Sequence, residues 1–89
     1  MSTKDELASM LKTVEDEYRF WVVEAIQMER GIATMEEELT HHDSELGADR
    51  AADLRRRLSR VREKHREIEE KIHGIRQRLD ELRERLEKT

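Results

Sequence analysis

The chain has 89 residues, of which 45% are charged and 35% apolar, with no proline, three glycines and no cysteine. That length supports a single domain, residues 1–89, and the lack of cysteine excludes disulfides and thiolate metal sites. The net charge of −4 is split: residues 1–46 carry a net −8 and residues 47–89 a net +4.

Such a composition suits long helices or a disordered tail, and periodicity decides between them. From the N-terminus, Thr3 and Glu6 have the spacing of a capping box. An unbroken 4-3 repeat then follows: Leu7, Leu11, Val14, Tyr18, Trp21, Ala25, Met28, Ile32, Met35, Leu39, His42 and Leu46. Steps of four and three keep one stripe facing a partner helix. The spacing predicts a helix over about 3–46 in which only His42 is a polar seam residue.

The seam then breaks. Leu46 to Ala51 is a step of five, which a continuous coiled coil does not absorb. Gly47 is placed to end the first helix at C′, and Asp49 to cap the second. The expectation is a tight turn at 47–49 and a second helix over about 50–88. Its own seam is Ala51, Leu54, Leu58, Val61, His65, Ile68, Ile72, Ile75, Leu79, Leu82 and Leu86. His65 is its one polar member.

A turn centred on residue 48 makes facing residues sum to about 96 or 97. The two seams obey this, pairing Leu39 with Leu58, Met28 with Ile68, Trp21 with Ile75 and Val14 with Leu82. Charge agrees: Glu36, Glu37, Glu38, Asp43 and Glu45 lie opposite Arg55, Arg56, Arg57 and Arg60. The expected fold is therefore all-α, an antiparallel two-helix coiled-coil hairpin.

Helix one also carries an apolar surplus. Phe20, Val22, Val23 and Ile26 fall off the seam around Trp21, whereas helix two is polar outside its seam except for Ala52 and Gly74. An apolar cluster left in water marks an interface. Phe20, Trp21, Val22, Val23 and Ile26 are the candidate interface residues, and a homodimeric four-helix bundle is the expected use. A two-fold axis at Val23 sets Phe20 against Ile26 and Asp16 against Arg30, the self-complementarity of an isologous contact. A different protein partner is the competing use.

Between Arg50 and Arg66 lie eight basic residues and two acidic ones. Arg55, Arg56, Arg57, Arg60 and Arg62 are candidate phosphate contacts for a nucleic acid. The acidic helix alongside and the lack of nearby aromatics favour a solvated, internally paired face instead. Glu38-x-x-His41 and Glu70-x-x-His73 have the spacing that di-iron bundles use. Both lie off the seams and far apart, so the expectation is surface histidines and no metal site, with a metal-binding bundle kept as a second alternative. His42 and His65, on the seams, fit either register-setting polar residues that weaken the hairpin at low pH or partly exposed histidines bonded to a glutamate. Gly74, opposite Trp21 and Val22, has the position to make room for the indole.

No nucleophile-base pair, phosphate loop, catalytic residue or cofactor motif stands out, so a non-enzymatic chain without cofactors is expected. The longest apolar run, Phe20–Val23, is four residues. That is too short for a membrane span or signal-peptide core, which points to a soluble, cytoplasmic protein. The functional expectation is a structural or protein-interaction module: a scaffold, adaptor or co-chaperone.

Overall fold

The computed structural model describes residues 2–42 and 47–89, with the His42 side chain left aside. It is an all-helical hairpin. Helix α1 runs Thr3–His42 and helix α2 runs Ala48–Glu87, 40 residues each. The two pack along their length in a rod of 64 × 16 × 14 Å. A 40-residue helix at 1.5 Å per residue accounts for the long dimension.

The seam read from the sequence is the packed face. Every seam position whose side chain is described is buried or half-buried. Among the described residues, all eight that are buried belong to it: Leu7, Val14, Ala25, Ala51, Leu54, Leu58, Leu79 and Leu82. They concentrate at the two ends. Leu7, Val14, Leu79 and Leu82 form a cluster near the termini, with Leu11, Tyr18, Ile75 and Leu86 against it. Ala51, Leu54 and Leu58 close the other end. Between them only Ala25 is fully covered, because two helices alone wrap a seam on two sides.

Ion pairs across the helices fix the register. Glu36 meets Arg62 at 3.3 Å and Glu15 meets Arg83 at 4.0 Å, with residue numbers that sum to 98 in both cases. Glu29 meets His65 at 3.1 Å, with a sum of 94. These flank the apolar pairs expected at 96–97, as the positions bordering an antiparallel seam should. The two arginine pairs are largely in water, so each contributes roughly 0–1 kcal/mol. Their matching signs choose the orientation more than they hold it.

The helix ends correct the sequence reading. Ser2, not Thr3, caps α1: its hydroxyl accepts the Asp5 backbone N–H at 3.2 Å, and its carbonyl accepts that of Glu6. Gly47 is not a left-handed C′ residue. It is extended, with φ −64° and ψ 154°, and it is the N-cap of α2. Its carbonyl accepts the Ala51 N–H at 3.0 Å, so the helix starts at Ala48, earlier than expected. Asp49 is therefore a first-turn residue rather than a cap. There its carboxylate faces the positive end of the helix dipole. The expected extension of helix one to residue 46, including seam residue Leu46, lies outside the described residues, as do Asp43 and Glu45.

The close packing of the indole expected at Gly74 is also absent. A Cβ built there meets nothing within 4 Å, and the same holds at Gly31. Trp21 is accommodated elsewhere, edge-on to Phe20 at 5.0 Å and 82°, beneath the Lys71 ammonium. Among the described residues, no helix is long and apolar enough to cross a membrane.

Candidate functional site

The apolar cluster on α1 divides in two. Trp21 and Val22 are half-buried, turned towards α2. Phe20, Val23 and Ile26 stand out in solvent at 56%, 50% and 42% exposure. The cause is helical phase. In a 3.5-residue repeat with Tyr18, Trp21, Ala25 and Met28 on the seam, Val23 falls diametrically opposite the seam's midline. Phe20 and Ile26 flank it, one turn before and one turn after. The three form a small apolar island on the back of α1, the side that α2 never reaches. Met10, at 41% exposure, is a further exposed apolar side chain that the sequence reading passed over. It lies about three turns away and does not join the island.

Charges frame the island. Asp16, two turns before Val23, is bridged to Lys12 and Arg19, both at 3.8 Å. Arg30, two turns after it, has no ion pair among the described residues; only its backbone carbonyl is engaged, by the Thr34 hydroxyl at 3.0 Å. Sequence and structure thus leave one basic and one acidic side chain at equal distances on either side of Val23.

The arginine run is exposed throughout. Part of it is neutralised internally: Arg57 pairs with Asp53 at 3.1 Å, Arg62 with Glu36, and Arg50 with Glu38 at 3.2 Å. Arg55 has a partner as well. Arg56 and Arg60 have no ion pair among the described residues. An open groove of about 780 Å³ runs along this face, with Leu54 and Val61 at its base and Arg50, Arg57, Arg60 and Lys64 on its rim. The five arginines singled out in the sequence therefore do not converge on one point; they spread along about two turns.

The histidines separate in the same way. His41 is exposed, and His73 shares a 3.3 Å hydrogen bond with the Gln77 amide. The two Glu-x-x-His spacings are not brought together. The His42 side chain lies outside the described residues. His65 is the exception. Its side chain is only 16% exposed, and its Nε2 lies 3.1 Å from Glu29 Oε1 and 3.5 Å from Glu69 Oε1. The sequence holds half of this signal, because Glu69 follows His65 by four residues and shares its helix face. The other half, Glu29, comes from α1 and emerges only once the register is fixed.

No family model, no curated protein and no solved structure matches this chain.

Proposed function

We propose that the protein is a non-enzymatic, cytoplasmic interaction module that self-associates through the back of α1 and acts as a scaffold or adaptor. The observation that carries this reading is the island of Phe20, Val23 and Ile26, exposed on a helix face that its own hairpin cannot cover. An antiparallel encounter of two α1 helices about Val23 places Phe20 on Ile26 of the second copy. It also places Asp16 beside Arg30 of that copy, which relieves the unpaired guanidinium.

Because the island lies opposite the seam, the four helices line up as α2–α1–α1–α2. This is an open four-helix assembly with the two α1 helices in the middle, flatter than a closed bundle. Its strength is modest. Burying six half-exposed side chains contributes on the order of 1 kcal/mol each. That is comparable with the low end of the rigid-body cost of association, about 4–15 kcal/mol. The dimer is therefore weak and dissociates on dilution from the millimolar range, as suits a module whose partners exchange.

A second reading follows from Arg56 and Arg60. These guanidiniums lie on a strongly basic stretch and have no ion pair among the described residues, which suits a phosphate-bearing partner such as nucleic acid. A gel shift with DNA and RNA at low salt tests it. Binding that falls steeply with salt and is lost in Arg56→Ala/Arg60→Ala supports it; no shift at high micromolar protein removes it.

A further inference from the structure

We propose that Glu29, His65 and Glu69 form a binding site for a divalent transition-metal ion of the zinc type, which ties α1 to α2 near the middle of the hairpin. This site is separate from the self-association face and does not depend on it.

The geometry comes first. Zinc bound to imidazole nitrogen and carboxylate oxygen holds its ligand atoms about 2.0–2.2 Å away. At tetrahedral angles such atoms stand about 3.3–3.5 Å from one another. Here His65 Nε2 is 3.1 Å from one carboxylate oxygen and 3.5 Å from the other. All three ligand atoms lie within 4.8 Å of each other. The remaining edge closes by rotation of Glu29 and Glu69, both more than half exposed and free to turn. Their exposure also leaves the fourth coordination position to water.

An imidazole Nε2 bears at most one hydrogen, so it satisfies one carboxylate fully and the other poorly. Neither Glu29 nor Glu69 has a lysine or arginine within ion-pair distance among the described residues. Of the cations nearby, Arg62 pairs with Glu36, Arg66 with Glu63 and Lys71 lies over Trp21, while Arg30 and Lys64 pair with neither carboxylate. Two carboxylates thus converge on one imidazole nitrogen, with no lysine or arginine paired to either. A dication cancels both charges, with neutral imidazole as the third ligand.

Position supplies the consequence. The trio bridges the helices in the stretch where, apart from Ala25, no seam residue is fully buried. A metal there restrains the segment that apolar packing holds least.

The test is a titration of the full chain with zinc alone, in a non-coordinating buffer, by calorimetry and by thermal melting. The expected result is one zinc per chain and a melting midpoint raised by about 5 °C or more at a hundredfold excess over Kd. Cobalt(II) should give the intense visible absorption of a four-coordinate ion. Loss of even an outer-shell partner costs a metal site about 10–100-fold. His65→Gln, Glu29→Gln and Glu69→Gln should each weaken binding at least that much while leaving helicity by circular dichroism intact. His73→Gln should bind as the parent does. No binding at millimolar zinc would overturn the proposal, as would binding that survives His65→Gln or vanishes with His73→Gln.

Discussion

The Lys71 ammonium lies 4.0 Å from the centre of the Trp21 ring, so a lysine of α2 covers an indole of α1. Trp21 is a seam residue, yet a two-helix seam is too narrow to bury so large a side chain. Its outer face is finished by a cation instead of by apolar atoms. Cation–π contacts at such exposed positions contribute about 0.5–1 kcal/mol. Lys71→Ala should lower stability by that amount. It should also shift the emission of this single tryptophan to longer wavelength, as water reaches the ring. Steady-state fluorescence during urea unfolding reads both; an unchanged spectrum would mean that Lys71 does not cover the indole.

Gly74 makes an opposite forecast. It sits in the interior of α2 with open space where a Cβ would go. Alanine there should therefore add about 1 kcal/mol of stability through helix propensity alone. The melting midpoint should rise by about 4–8 °C. A fall in midpoint together with loss of self-association would instead mean that a second copy packs against this glycine.

The two ends of the rod should respond very differently from its back. Leu82 is 3% exposed within the cluster of Leu7, Val14 and Leu79, so Leu82→Ala should cost about 2–5 kcal/mol. Val23→Ser, on the exposed face, should change the stability of the dilute monomer by no more than about 0.5 kcal/mol. Chemical denaturation at low micromolar protein compares the two, and similar losses would contradict the placement of Val23 off the core.

Much of this architecture is legible in the sequence because it follows from one repeat. The 4-3 spacing names the seam, and the step of five after Leu46 breaks it. Charge complementarity then orients the two halves, although the acids of that run meet arginines just outside the expected four, Glu36 with Arg62 and Glu38 with Arg50. What the repeat does not encode is local chemistry at the ends. Ser2 and Thr3 are both good caps, and only backbone geometry chooses Ser2. Gly47 suits the end of one helix or the start of the next, and ψ of 154° selects the start. The Glu29–His65–Glu69 trio was missed for a related reason. Glu29 borders the seam among many glutamates, and nothing along the chain marks it until α2 brings His65 within 3.1 Å.

The island also sharpened in three dimensions. Five residues looked alike as a run, but phase divides them. Trp21 and Val22 turn towards α2, while Phe20, Val23 and Ile26 turn away from it. The division moves the expected contact from the side of a closed bundle to the back of α1.

Self-association through that back face is the central claim, and absolute mass in solution tests it most directly. Size-exclusion chromatography with light scattering, run from low micromolar to millimolar protein on the parent and on Val23→Glu, compares the two species. The account predicts a parent that moves from monomer to dimer with concentration and a variant that remains monomeric and helical throughout. A parent that stays monomeric at every concentration, or a Val23→Glu variant that dimerises as the parent does, would contradict it.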